Sequence, residues 1–248
     1  MLEGLREAIQ CVVGLGIDAE RAEVIEIAGK TYANKMLKRY GEPEYAEAVE
    51  ASTLTAFVDY IRNCADEFRG DMLVHIVSPT RVRLMSTLDQ ERRREVLFET
   101  KAQVSGFQFD SWYDQENFMI GLQSNFQMND DLKTVMKFAG NVEKKNTTTF
   151  SDDGRTQTAT MNVGVASKAD VIVPNPVQLI PFRTFQEVAQ PASRFVLRMG
   201  DKEGPAFMIV EAEGGLWKNE AVANIKAYLN SEVSIMPEAI RERITIIG

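Results

Sequence analysis

The stretch Thr147-Thr-Thr-Phe-Ser-Asp-Asp-Gly-Arg-Thr-Gln-Thr-Ala-Thr160 leads into Val171-Ile-Val-Pro-Asn-Pro-Val-Gln-Leu-Ile-Pro-Phe-Arg-Thr-Phe185 and then Arg194-Phe-Val-Leu-Arg-Met199. Thr, Val, Ile and Phe dominate between turn residues, which is strand chemistry. Asp152-Asp-Gly154 has the composition of a hairpin turn, and that reading outweighs a pair of metal-binding carboxylates. Pro174, Pro176 and Pro181 remove backbone donors, so this part of the block is expected at sheet edges or bulges, on a surface loop or a protomer interface.

Helices gather on either side of this block. Leu54, Phe57, Val58, Ile61 and Ala65 recur at helical spacing behind a Ser52 or Thr53 cap, predicting a helix over 53–67. Met72–Val77 reads as a buried strand, Ser78-Pro-Thr80 as a turn, Arg81–Met85 as the antiparallel return and Glu95–Val104 as a third strand. Phe118, Leu122 and Phe126 predict a helix capped by Asp110 or Ser111, and Asn129 caps another that Gly140 closes. After Ala206–Glu211, a strand, Trp217–Leu229 is a strong helix and Ile244–Ile247 an edge strand. Elements grouped in this way predict an α+β fold with a largely antiparallel sheet flanked by helices.

Upstream, Leu2–Ile17 is helical in spacing, with Gly14 and Gly16 as its stop and a second helix over Ala19–Ile27 capped by Asp18. Residues 1–50 are therefore expected as a helical N-terminal segment, in part an arm, and 51–248 as a single α+β domain.

Composition narrows the function classes. Charged residues at 26% and hydrophobic residues at 44% are ordinary for a globular chain. The net charge of −8 argues against non-specific DNA binding, which needs a basic face. One histidine and two cysteines argue against a structural zinc site, and Cys11 and Cys64 are expected as reduced, buried thiols. No secretory signal or membrane-spanning run is read, so a cytoplasmic location and no membrane partner are expected.

No catalytic constellation stands out, and no cofactor or metal is expected. His75, inside an apolar strand, is expected as a satisfied histidine rather than a general base. Asp71, Glu99 and Lys101 echo the carboxylates and lysine of metal-dependent nucleases, an alternative weighed against a solvated strand face. Glu91-Arg-Arg-Arg-Glu95 reads as a solvated loop. Glu211-Ala-Glu-Gly-Gly215 precedes a helix, but its two acids would repel a phosphate, so it reads as a flexible loop. Asn175, Arg183, Thr184, Arg198, Trp217 and Lys218 are the candidate ligand-binding residues, since Arg and Trp suit both nucleotides and protein interfaces.

Leu73-Val-His-Ile-Val-Ser-Pro-Thr80, Thr149-Phe-Ser-Asp-Asp-Gly154, Gly164-Val-Ala-Ser167 and Val173-Pro-Asn-Pro-Val177 occur in order along the chain. Pro181-Phe-Arg-Thr-Phe-Gln-Glu-Val188, Gln190-Pro191 and Glu211-Ala-Glu-Gly-Gly-Leu-Trp-Lys-Asn-Glu-Ala221 continue the series. Over residues 50–230 the chain resembles the YfdQ-like phage and prophage proteins, a family of unknown function, in versions from Clostridia-type prophages. The resemblance carries no catalytic residue. It implies a phage gene expressed in a bacterial cell, with a role in host takeover or against host defence. Together with the residues, it leads to the expectation of a non-enzymatic, homo-oligomeric accessory protein. That protein would bind a host or phage partner or sequester a nucleotide signal; a metal-dependent nuclease or phosphodiesterase and a single-stranded DNA-binding helper of recombination are the alternatives.

Overall fold

Capping chemistry sets where the helices begin. The structure is a computed structural model that describes residues 2–20, 24–27, 30–33, 45–89, 91–104, 106–142, 150–152, 156–163, 167–201 and 204–248. It divides into two units, Met1–Tyr45 and Ala46–Gly248.

In the first unit, α1 (Leu2–Glu20) is followed by an antiparallel hairpin of β1 (Val24–Ile27) and β2 (Lys30–Ala33). This corrects the expected pair of helices. Gly14 and Gly16 do not end α1, and the residues expected in the second helix include β-branched Val24, Ile25 and Ile27, which form a strand instead. The expected break at Gly41-Glu-Pro43 lies outside the described residues. Cys11 on α1 is exposed and Cys64 is half-buried, so neither thiol is buried as expected.

In the second unit the chain runs β3 (Val49–Ala51), α2 (Leu54–Asn63), β4 (Met72–Ser78), β5 (Arg81–Ser86) and β6 (Val96–Lys101). It continues through β7 (Tyr113–Asp114), α3 (Gln115–Asn125), β8 (Phe126–Gln127) and α4 (Asp130–Gly140) to β9 (Phe150–Asp152), β10 (Thr156–Val163) and β11 (Ser167–Pro174). Then come β12 (Val177–Pro181), β13 (Ser193–Asp201), β14 (Pro205–Glu211), α5 (Trp217–Ser234), α6 (Glu238–Arg241) and β15 (Ile244–Ile247). The class is α+β, with helix and strand grouped and most pairings antiparallel.

Two five-stranded sheets organise the second unit. The first, in the order β15-β4-β5-β6-β3, is antiparallel at its centre and parallel at both edges. Thr53 caps α2 by accepting a hydrogen bond from the Ala56 amide at 3.2 Å. Leu54, Phe57 and Ile61 of α2, with Ile225 and Leu229 of α5, then pack on Val74, Val82, Leu84 and Phe98 of the sheet. Phe57 is fully buried, edge-on to Phe98 at 5.7 Å, and its burial stabilises the fold by about 2–3 kcal/mol.

The second sheet, β7-β14-β13-β12-β8, is antiparallel throughout. Phe118 and Leu122 of α3 and Leu132, Val135 and Phe138 of α4 pack on its Leu179, Phe195, Leu197, Phe207 and Ile209. Asp114, not Asp110 or Ser111, caps α3 by accepting from the Asn117 amide at 2.8 Å. Asp110 has φ 59°, a left-handed turn conformation. Phe126 lies in β8 rather than on the helix, and still reaches the core.

The prolines divide. Pro174 ends β11, an edge strand of the three-stranded sheet β11-β10-β9. Pro181 ends β12 beyond Leu179, the last residue paired with β13, so at Pro181 the strand is paired on one side only. Its short neighbour β8 meets it only at Ile180 and Pro181. Residues 153–155, at the Asp152-Asp-Gly154 turn, lie outside the described residues, but β9 and β10 pair antiparallel around them.

Asn129 does two things at once. Its side-chain oxygen accepts from the Leu132 amide at 2.7 Å, and its nitrogen donates to the Gln178 carbonyl at 2.8 Å, tying α4 to β12. Asn129→Ala is therefore expected to destabilise the protein by about 1–2 kcal/mol, read as a fall in the urea midpoint with an unchanged m-value.

Candidate binding groove at the seam of the two sheets

The link between β12 and β13 stitches the two cores together. Leu179 belongs to the core of the second sheet, while Phe185 and Val188 belong to the core of the first. The Phe182 amide donates to the Asn125 carbonyl at 2.8 Å, and the Thr184 hydroxyl donates to the Pro79 carbonyl. Glu187 accepts from the Thr55 amide at 3.1 Å, placing a carboxylate at the N-terminus of α2 where the helix dipole favours it. Gln190 rigidifies the link from within: its side-chain oxygen accepts from the Arg183 and Thr184 amides, and its nitrogen donates to the Phe185 carbonyl.

Between this link and the end of β6 lies a groove made of three adjoining clefts. The largest, about 630 Å³, is walled by Gln103, Val104, Ser124, Gln127, Phe182, Thr184, Gln186, Val188, Ala189 and Gln190. A second of about 340 Å³ shares Gln103, Thr184 and Gln186 and adds Ser52, Thr53 and Glu187. The third, about 480 Å³, shares Ser52, Ala102 and Gln103 and ends at Glu50, Glu99 and Lys101. Phe182 is 36% and Val104 43% exposed, and the side-chain amides of Gln103, Gln127 and Gln186 have no hydrogen-bond partner among the described residues. Uncommitted amides beside an exposed ring and an apolar side chain make a binding surface, since each amide still has donors and an acceptor to offer.

At the charged end, Glu99 gathers cations. Its carboxylate accepts from Arg81 Nε and Nη2 at 2.8 Å each and from Arg83 Nε at 2.6 Å, with Lys101 Nζ 3.1 Å away. Arg81 above all, then Arg83 and Lys101, hold the Glu99 carboxyl down to about 2, against the opposing effect of burial. His75 pairs with Arg83 across β4 and β5 and is half-buried on the same face.

The nuclease constellation does not assemble. Asp71 precedes Met72, which faces Ser86, whereas Glu99 faces Arg83 and through it His75. Four residues along the strand and two strands across put Asp71 roughly 16 Å from Glu99, too far for one metal ion to bridge. Glu99 and Lys101 do meet, but as an ion pair within the arginine cluster. Among the described residues no group of three His, Cys, Asp or Glu side chains could hold a metal ion. The Glu91–Glu95 loop neutralises part of its own charge, with Arg93 2.6 Å from Glu91 and Arg94 donating to the Ser86 carbonyl.

Of the six candidate ligand-binding residues, Thr184 lines the groove. Arg183 and Trp217 do meet, with Arg183 buried and Trp217 half-buried over it. The guanidinium lies 3.9 Å from the Trp217 ring centroid and 5.9 Å from that of Phe195. It donates to Glu211 at 3.1 Å and to the Ser193 hydroxyl, and its Nε is buried with no partner among the described residues. Burial pulls Arg183 below its ordinary value, and Glu211 opposes this. These contacts join the link, β13, β14 and the start of α5. The turn into α5 holds Gly214 at φ 60° and Gly215 at φ 83°, conformations that suit glycine. Asn175 is likewise internal: its side chain accepts from the Leu197 amide at 3.0 Å and extends the β12–β13 ladder. Arg198 and Lys218 are exposed, Arg198 opposite Met208 on β13 and Lys218 on the first turn of α5, away from the groove lining.

Sequence reading passed over Gln103, Val104, Phe182 and Gln186. Phe182 and Gln186 lie in the Pro181–Val188 phrase, but neutral amides and single aromatic residues carry no pattern that separates a groove wall from a core or a loop. Among the described residues no helix is long and apolar enough to cross a membrane. No protein-family model matches this chain, and neither a curated protein nor a solved structure matches it.

Proposed function

We propose that the chain is a non-catalytic binding protein whose ligand lies in the seam groove. The observation that carries this reading is the row of uncommitted amides beside exposed Phe182 and Val104, on a link braced by the Gln190 hydrogen bonds. Pre-organised walls of this kind lower the ordering cost of binding. The phage setting and an anti-defence role rest on the resemblance of residues 50–230 alone. Native mass spectrometry of the protein purified from cells is expected to show a retained ligand that Ala189→Trp, which fills the large cleft, removes. An adduct equally retained by the filled variant, or none on either protein, would sink the groove as the binding site.

Assembly with copies of itself belongs to the same reading and has its own surface. Leu5, Ile9 and Val12 follow at spacings of four and three on α1 and are 60%, 56% and 68% exposed. That spacing is the seam of a coiled coil, and a lone helix of this length is marginal in water. Light scattering is expected to report an oligomer for the full chain and a smaller species for Ile9→Glu. A monomeric parent chain would remove the assembly.

A further inference from the structure

We propose that the groove takes a nucleoside monophosphate, with its base against Phe182 and its phosphate towards Lys101; this rests on the seam groove being the binding site. The order of side chains along the groove matches the order of groups in such a ligand. At one end exposed Phe182 and Val104 line the same cleft as the Gln103 and Gln127 amides, which are unbonded among the described residues, as required to stack a flat ring and bond its edge. Sugar hydroxyls meet the Ser52 and Thr53 hydroxyls in the middle, where the Glu187 carboxylate is a further acceptor and Thr184, bonded to the Pro79 carbonyl, completes the wall. At the far end stands Lys101, 55% exposed, beside the two arginines that Glu99 holds.

Charge decides against longer nucleic acids. Among the described residues that line the groove, Lys101 is the cation, with Glu50 and Glu99 beside it and Glu187 in the middle section, on a chain of net charge −8. A polyanion would run past Glu187 as well, whereas a single terminal phosphate meets only the section where Lys101, Arg81 and Arg83 outnumber Glu50 and Glu99 by one charge. A peptide would leave the base-sized cleft at Phe182 to a side chain and gains nothing specific from the cation. The monophosphate uses all three sections.

The test is saturation-transfer NMR on the full chain with AMP, GMP, CMP and UMP, followed by calorimetric titration with the best of them, its nucleoside and inorganic phosphate. Expected are saturation of the base protons, weaker binding of the nucleoside and no competition by inorganic phosphate. Phe182→Ala should weaken nucleotide and nucleoside alike by about tenfold, the cost of one lost stacking contact. Phe182→Tyr should restore both. Lys101→Ala should weaken the nucleotide several-fold and leave the nucleoside unchanged. Absence of saturation for all four nucleotides at millimolar concentration would overturn the inference, as would binding indifferent to Phe182→Ala. If a ligand retained in native mass spectrometry and lost on Ala189→Trp proves to be a peptide, the groove stands and the nucleotide falls. If no adduct depends on the groove, both fall.

Discussion

Arg183→Met is expected to destabilise the protein by about 3 kcal/mol, the larger of the two strongest effects anticipated here. Methionine keeps much of the volume between Trp217 and Phe195 but removes every donor. Glu211 then loses its 3.1 Å partner and the Ser193 hydroxyl is left without its own. The guanidinium side chain is 10% exposed and Glu211 27%, so water reaches the abandoned carboxylate only in part. The stacking on Trp217 at 3.9 Å adds to the loss, because a cation over an indole is worth about 2 kcal/mol when desolvated. Equilibrium urea unfolding measures the total. A double-mutant cycle with Trp217→Ala isolates the stack, since the two residues touch and their effects will not add. A loss below about 1 kcal/mol would show that Arg183 fills space and no more. The same variant separates structure from binding: Arg183 is outside the groove lining, so its loss should lower stability without selectively weakening any ligand.

Stability should also fall between about pH 4.5 and pH 2, through Glu99. Its folded-state pKa of about 2 lies below the ordinary 4.5. Above pH 4.5 the carboxylate is ionised in the folded and unfolded states, and the full contribution is present. As the pH falls the unfolded chain takes up the proton first, and the stabilisation is lost through the folded pKa. Arg81 and Arg83 are each about a third exposed, so solvent screens the cluster, and a contribution of about 2 kcal/mol is the right scale. Urea titrations of the parent chain and Glu99→Gln should differ by about that amount at pH 7 and converge near pH 2. A gap that stays constant with pH would mean that the glutamine disrupts packing and that the charge contributes nothing. The same variant bears on chemistry, for a nuclease built on Glu99 would lose a magnesium-dependent activity that the groove reading does not include.

What could be read from the sequence was whatever depends on neighbours along the chain. The α2 stripe of Leu54, Phe57, Val58 and Ile61 behind Thr53, the Asn129 cap, the β4–β5 hairpin around Pro79 and the α5 helix all follow from local periodicity and local capping bonds. So does the α+β class. Local signals failed where competing residues stood close together. Asp110, Ser111 and Asp114 can each cap a helix, and the strand pairing of Tyr113 and Asp114 in β7 delays the start of α3 until Asp114 is the cap.

Tertiary structure alone decided the site. Arg183 and Trp217 are 34 positions apart, and whether they face solvent or each other depends on α5 folding back onto the β12–β13 link. Asp71, just before β4, and Glu99 on β6 looked like partners in sequence, and the register of β4, β5 and β6 keeps them apart. The groove arises where two sheets with separate cores meet, from side chains between Glu50 and Gln190 that share no sequence pattern. Local spacing encodes which face of an element is apolar. It does not encode which element that face will meet, and a binding groove is made of such meetings.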